Sequence, residues 1–549
     1  MPNYTRTPER ELPLNPRLPL LGIPNQRAGD PDIDSRLVNA YAEQGTDQRW
    51  HISKRPGLVV YSNPPGAARI GLGLCVAASN IASFWQEGTV GAYYESLYSG
   101  VTAVSLGTVA TRTQLRHFHT IEVYTAAETT ATLATDGQHS YLIDDFAAAT
   151  TLPVQDSTFN ATVTTNGTAV VTHGGTVTFH KYSRITGADI PADTEIASID
   201  SSTQFTITQA ATGSSTASRS FTRSGPPFSQ YSSWPAQLNR SVYMAGFPQT
   251  IQGSDIDDPT AWDWLNIIYA YATTDLVVGL FAQLSTILAF KTASVEAFRD
   301  AGLTPTPLAR VEGFRLDVGL LDANTIREAD GTILWVSNQN SGQRGVWKMN
   351  NLRAEEVSNP AIRRILNEYS GDMHAMTFAW DGHTFYLVAL EGQPAIVYDL
   401  TAGLWYLWTA LGDVEWPFVD AVAAFSGTYF QHRTNGKIYN FSATTGTDDG
   451  RAIYMDIYPP KFDGGTHLTK YVSRMYIACD QQDGSEMLLR VSDDGQKTWT
   501  EFRRFDLSHP RPFLENCGSF TTRHFHFRHY APTPCRVNEV ELAMEVGVL

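Results

Sequence analysis

No run of apolar residues in this 549-residue chain approaches the roughly 18 that a membrane-spanning helix needs. The opening Met1-Pro2-Asn3-Tyr4 lacks the basic stretch and apolar core of a secretory leader, so a soluble product made in the cytoplasm is expected. Cysteine is scarce: Cys75, Cys479, Cys517 and Cys535 are the four in the chain, none in a CxxC pair. A disulfide or zinc framework would be much denser, and free thiols are expected. Positive charge is also deficient, with 40 Lys and Arg against 56 Asp and Glu, a formal net charge of −16. An acidic surface repels phosphates, which argues against base reading or groove binding. The same acidity suits a wall past which DNA slides without adhering, and it also serves plain solubility.

Signatures of catalysis are missing too. The chain has no G-x-S-x-G, H-E-x-x-H or Walker loop, and its many carboxylates single out no pair as a glycosidase dyad. No catalytic, cofactor-binding or metal-binding residue is therefore expected, and no cofactor. Helical periodicity is rare. One helix is expected after Asn359-Pro360, with Ile362, Ile365, Leu366 and Tyr369 at helical spacing and a stop at Ser370-Gly371.

What the chain does have is 42% hydrophobic and 11% aromatic residues against 17% charged, the composition of a globular protein. Short β-rich runs recur between Asp-Gly, Asn-Gly and Gly-Gly turns, as in an all-β chain of hairpins. Thr332–Val336 follows Asp330-Gly331, Thr384–Leu390 follows Asp381-Gly382, Ile438–Phe441 follows Asn435-Gly436, and Tyr141–Ile143 follows Asp136-Gly137. A looser unit repeats: an aromatic-rich strand, a turn, then a strand ending at an acid followed by Trp. Thr384–Val388, Ile396–Leu400 and Leu404-Trp405 are its best copy. Units of roughly 40–60 residues, each a few strands, suggest propeller blades, although two stacked sheets would give similar local text.

Four regions are expected. Residues 1–33 are proline-rich and form an extended arm lying on another subunit, or a flexible tail. Residues 34–156 begin the propeller. Residues 157–224, rich in Thr, Ser, Ala and Gly and without Trp, form an inserted immunoglobulin-like β-sandwich module that projects outward. Residues 225–549 complete the propeller and add a C-terminal β region.

Three local motifs invite chemistry. Ser492-Asp493-Asp494-Gly495-Gln496-Lys497-Thr498-Trp499 is close to the Asp-box hairpin S-x-D-x-G-x-T-W, with Gln496 where the pattern has glycine. Asp494 is expected to bond turn amides, with Trp499 packed beneath. In Thr522–His529, strand alternation places His524, His526 and Arg528 on one face and Phe525, Phe527 and His529 on the other. Two histidines beside an arginine make a poor metal site, so a solvated or interface face is expected. Asp255, Asp257 and Asp258 lack the later bidentate Glu of a calcium loop and read as a turn ahead of Trp262 and Trp264.

Longer stretches carry a family resemblance. Arg36-Leu37-Val38-Asn39-Ala40-Tyr41-Ala42-Glu43, followed by Arg55-Pro56-Gly57-Leu58, is similar to an amino-terminal "R-x-V-N-x-Y-x-E … P-G-L" signature of phage tail proteins. Ser254-Asp255, Asp258-Pro259-Thr260 and Trp262 resemble a "S-D-x-x-D-P-T-x-W" segment, and Leu288–Phe298 an "L-x-F-x-x-x-S-V-E-x-F" segment. Gly345-Val346-Trp347, His383–Tyr386 and Val397-Tyr398-Asp399 follow in order. Together, over about 34–150 and 230–540, they resemble the packaged-DNA stabilisation family, the tail hub or nozzle of short-tailed bacteriophages. The resemblance implies an all-β, β-propeller structural protein of the virion tail, with no enzymatic role. It implies a homo-oligomer, a hexamer forming a ring below portal and adaptor. That ring would close the DNA channel, stabilise packaged DNA, conduct it on ejection, and meet tail fibres, spikes or a needle. A carbohydrate-binding or carbohydrate-degrading tail propeller is the alternative that the single Asp-box suggests.

Overall fold

The computed structural model describes residues 16–21, 35–45, 49–62, 69–77, 80–87, 90–96, 104–109, 117–144, 149–229, 232–246, 248–339 and 341–547. The fold is an all-β propeller, and the chain divides into two compact units. One comprises residues 62–357 and 419–438; the other comprises residues 1–61, 358–418 and 439–549.

In the first unit five antiparallel sheets succeed one another along the chain. They begin at Ile70–Ala77, His119–Tyr124, Ala236–Leu238, Val277–Gln283 and Gly319–Leu320. Inner strands such as Thr286–Lys291 and Ser241–Gly246 read as nearly unbroken apolar runs because both faces are buried, each against a different neighbour. In Thr286–Lys291, Ile287 and Ala289 enter a cluster with Tyr243 and Ala245 of the third sheet. The intervening Leu288 and Phe290 enter a cluster with Ile333 and Trp335 of the fifth. In Ser241–Gly246, Val242 and Met244 turn the other way, onto Val123 and Leu133 of the second sheet. Phe84 of the first sheet meets Phe118, Ala134 and Tyr141 in the same manner. Period-two alternation thus sorts side chains between two hydrophobic interfaces and not between core and water.

The hairpin turns follow their sequence signals. Asp330 and Gly331 both adopt positive φ, 50° and 69°, as do Asp381 and Gly382 at 50° and 79°. Two successive left-handed residues give the tight turn whose twist matches the strands it joins. The helix spans Pro360–Glu368, with the Asn359 side chain accepting from the Ile362 amide at 2.9 Å and Ile362 and Leu366 buried.

Residues Thr158–Thr222 interrupt the connection between the second and third sheets. Their six strands close into a barrel, where two open sheets were expected. Thr158–Asn166 pairs along its whole length with Ser214–Thr222, joining the first strand to the last. Closure removes the exposed edges that an isolated small sandwich would carry. The barrel has its own core of Val163, Val171, Ile185, Ile196, Phe205 and Phe221. Its entry and exit run side by side, with Asp156 N donating to Arg223 O at 3.1 Å and Arg223 N to Ser157 O at 2.8 Å.

The second unit holds a further blade-like sheet, Met373–Trp380, His383–Leu390, Gln393–Asp399 and Leu404–Trp408. The acid that ends the repeating unit caps its own turn: Asp399 Oδ1 accepts from the Thr401 and Ala402 amides at 2.9 and 3.0 Å. This blade continues into the C-terminal region, because Arg36–Val38 pairs in parallel with Leu404–Trp408 and makes the blade part of a nine-stranded sheet; a second, six-stranded sheet also takes in N-terminal strands. Arg36–Val38 pairs with Met455–Tyr458, and Trp50–Lys54 pairs with Arg536–Val546. Pairing at long range supplies the last strand of the blade and the C-terminal strands with neighbours.

Phe290→Ala, which empties a fully buried site between two sheets, is expected to cost about 3–5 kcal/mol. Leu265→Ala, at 67% exposure, is expected to cost at most about 0.5 kcal/mol. Denaturant unfolding of the two variants beside the parent measures the contrast.

Candidate functional site

Several charged residues in and around the family-like motifs, Arg55, Lys291 and Glu296 among them, are buried, and their clusters tie down chain connections. Arg55 and Asp448, with side chains 1% and 2% exposed, form a two-pronged pair at 3.0 and 2.6 Å. Arg55 also donates from Nε to Asn39 Oδ1 at 3.1 Å and from Nη2 to the Thr409 carbonyl at 2.6 Å. Asp448 in turn accepts the amides of Leu58 and Leu411. Asn39 holds a left-handed φ of 53° while its side chain bonds Thr409 and Tyr454. Asn39 of the amino-terminal signature and Arg55, just before its P-G-L turn, are therefore two sides of one knot.

A second cluster forms around the S-V-E segment. Lys291 is fully buried, 3.1 Å from Glu296 and 3.2 Å from Asp275, and its ammonium donates to the carbonyls of Ala270 and Thr273. Arg310 closes on the other Glu296 oxygen at 2.9 Å. Burial alone would raise the Asp275 carboxyl; bonds from Thr273, the Ala293 amide and Lys291 outweigh it and hold it below the usual carboxylate range. The cluster pins the segment that crosses from the third sheet to the fourth.

The third cluster centres on Asp420, which accepts the Leu74 amide at 3.0 Å and lies 3.3 Å from His117 and 3.2 Å from Arg327. Burial pushes its carboxyl up, but His117, Arg327 and the Leu74 amide prevail and bring it down to about 2. The Arg327 guanidinium lies 5.1 Å over Trp234, which also stacks on the ring of His119 at 3.8 Å and donates from Nε1 to the Ala323 carbonyl. Asp420, Arg327, Trp234 and His119 line a cavity of about 240 Å³ together with Cys75 and Glu122. Asp420, Arg327 and His117 carry no local signature, since sequence separations of 93 and more than 300 residues hide their proximity.

The acidic loop does more than turn the chain. Asp257, at φ 61°, makes the hairpin, whereas Asp255 pairs with Lys181 of the barrel and accepts from the Tyr182 hydroxyl at 2.9 Å. Trp264 donates from Nε1 to the Tyr182 carbonyl at 2.6 Å, under the Arg184 guanidinium. The barrel is thus docked on the third sheet as well as inserted beside it. It also bears a cavity of about 560 Å³ lined by hydroxyls of Thr162, Thr164, Thr172 and Thr216 with His173 and Phe179.

The Asp-box hairpin is built as a turn. Asp494 Oδ1 accepts the amides of Lys497 and Thr498 at 3.0 Å each, and Oδ2 accepts the Thr498 hydroxyl at 2.6 Å. Gln496, in place of glycine, takes a left-handed φ of 68° after Gly495 at 79°. Trp499 is only half buried, edge-on to Tyr458 and His526 and covered by the Arg490 guanidinium at 4.9 Å.

The histidine strand His524–His529 is not a solvated face. It runs between Met455–Tyr458 and Glu486–Ser492, and all of it but Arg528 is buried. His526 accepts from Arg490 at Nδ1, 2.7 Å, and donates from Nε2 to Asp456 at 2.8 Å; Arg528 grips the same carboxylate with two nitrogens. Among the described residues no group of three or more His, Cys, Asp or Glu is placed to hold a metal.

Residues 232–446 match the sequence profile of a phage stabilisation family described as "Bacteriophage P22 Gp10, beta-propeller". The family suspected from the sequence is the one that matches. The matched stretch starts just after the barrel and takes in the motifs from Ser254 to Asp399, the Lys291 cluster and Asp420; resemblance traced before Ser232 or after Gly446 lies outside it. No curated protein matches the chain in sequence. Among solved structures, the computationally designed Ika8 protein aligns with 70% of this chain and 99% of its own, at 9% identity and TM-score 0.32. The WD40 β-propeller domain of Doa1 aligns with 71% and 97%, at 8% identity and TM-score 0.33.

Three outcomes are expected. Asp448→Asn should cost about 3–5 kcal/mol, because it strands a buried guanidinium; thermal unfolding reads it. Asp255→Ala should speed protease cleavage at residues 153–157 and 223–227 while the propeller's unfolding midpoint stays put, because it frees the barrel without touching a core. The third concerns pH. Burial, reinforced by Lys54, holds the His529 imidazole down to about 3 against 6.5. The unfolded chain therefore takes up a proton that the folded chain refuses. Stability present above pH 6.5 is lost as pH falls towards 3, with Asp420 adding the same sign between 3.8 and about 2. Between pH 6.5 and about 4 the His529 contribution is on the order of 3 kcal/mol. Urea unfolding across this range should show a shallower slope for His529→Gln.

Proposed function

We propose that the chain is a tail-hub, or nozzle, subunit of a short-tailed phage. Identical copies form a ring, six in number, below portal and adaptor. The ring closes the DNA channel, stabilises the packaged genome, conducts it on ejection and offers docking surface to fibres, spikes or a needle. The observation that carries this reading is the family match over 232–446, which supports a structural role in a phage.

Two properties agree with it. The charged clusters within the matched stretch are spent on holding chain connections together, a use that serves a rigid structural part. The net charge of −16 repels phosphates, so a genome passing the ring is not arrested by adhesion. The reading places the protein in the virion tail and gives it no catalytic task.

Phage particles assembled without this chain, and then complemented with it, test the proposal. Particles lacking it are expected to fill with DNA and then release it, with nuclease-sensitive DNA in the medium. Complemented particles should retain DNA and carry the chain at the tail by immunolabelling. Particles that keep their DNA without it but fail to adsorb to host cells would overturn the hub reading in favour of receptor binding.

A further inference from the structure

Part of the proline-rich arm is not free-standing. Leu18 N donates to Val540 O at 2.9 Å, and Leu542 N donates to Pro16 O at 3.0 Å, so that Arg17 and Glu541 face each other as an antiparallel bridge. Leu18 and Leu20 are buried at 3% and 6% exposure, while the alternating Arg17 and Pro19 are exposed. Arg17 Nε reaches Glu539 at 2.7 Å, and Arg49 reaches the other oxygen of the same carboxylate at 3.1 Å. The segment fills a gap. Trp50–Lys54 pairs with Arg536–Val546 only at Val537 and Arg536, which leaves that edge of Val540–Leu542 to be covered by something else.

We propose that this strand is exchanged between copies: in the assembly, Pro16–Leu20 of each chain lies on the Arg536–Val546 strand of the next. The proposal rests on the ring reading above and names a contact that holds the ring together. Its chemistry is the same whether the seat belongs to the strand's own chain or to a second copy, which is the condition for strand exchange. The seat is small, two backbone bonds, one ion pair and two leucines, so a single chain gains little by keeping it. A ring of copies holds neighbouring seats at high local concentration. Residues 21–35 separate the strand from Arg36, a length that spans up to about 50 Å when extended. Pro16 and Pro19 restrict the arm before it docks, which reduces the ordering cost on either seat. Pro19 also falls where the strand faces away from its seat, so no ladder bond is lost and no further strand can add to that edge.

The Arg17–Glu541 pair is a non-hydrogen-bonded antiparallel pair, whose close Cα atoms suit a disulfide. Two differently tagged forms, one Arg17→Cys and one Glu541→Cys, are mixed, assembled into particles and mildly oxidised, with the parent chain setting the background from its own thiols. A disulfide-linked pair carrying both tags is expected, and the doubly substituted chain should give a ladder of linked copies. If the doubly substituted chain closes only within itself and the mixture yields no linked pair, exchange is overturned while the tail-hub reading stands. If the particles contain no copy of the chain, the tail-hub reading fails. The same mixture is then oxidised as concentrated purified protein, where linked pairs still support exchange and their absence overturns it.

Discussion

A sheet with two apolar faces cannot be satisfied by one neighbour. In Thr286–Lys291 the successive apolar side chains go in turn to the sheet before and to the sheet after, and in Ser241–Gly246 Val242 and Met244 face one neighbour while Tyr243 and Ala245 face the other. Ile287 and Leu288, adjacent in sequence and both fully buried, belong to different hydrophobic clusters. Burial of this kind propagates from sheet to sheet, and it explains why the fold is a succession of blades and why so little of the sequence alternates apolar with polar.

The same constraint decides where charge goes. Connections between successive sheets must pass close to apolar interfaces, and their backbone carbonyls have little access to water there. Lys291 answers this by donating to the carbonyls of Ala270 and Thr273 while Glu296 and Asp275 balance its charge. Arg55 and Asp448 do so for the segments around Asn39, Leu58 and Thr409. Such pairs add modest net stability compared with apolar replacements, but breaking one leaves an uncompensated buried ion. They therefore hold one arrangement of the connections against alternatives. In this protein the residues that most resemble catalytic apparatus are the ones that fasten the backbone.

Both accessory pieces are fastened to the unit that carries them. The barrel closes its strands and packs its interior, yet it is also held by Asp255 and Trp264 at the third sheet. The C-terminal sheets take in strands from residues 36–54 and the arm at residues 16–20, elements that lie about 500 positions away in sequence. Both arrangements cover strand edges that would otherwise be exposed.

The sequence by itself was enough for the all-β class, the hairpins at Asp330-Gly331 and Asp381-Gly382, the capped helix at Asn359, and the resemblance to the family whose profile residues 232–446 match, because turn chemistry and motif order are local and written in consecutive residues. It also indicated that Asp494 would bind turn amides. It could not show that His524–His529 is a central strand, since a histidine strand covered on both faces has the same alternation as one facing water. Nor could it bring Asp420 to His117 and Arg327, or Arg17 to Glu539, since ion pairs between distant residues leave no periodic trace. The arm's Leu18 and Leu20 do alternate, but over too few residues to signal a strand without the edge that receives them. Tertiary structure decided these points because burial and pairing depend on which surfaces the rest of the chain brings into contact.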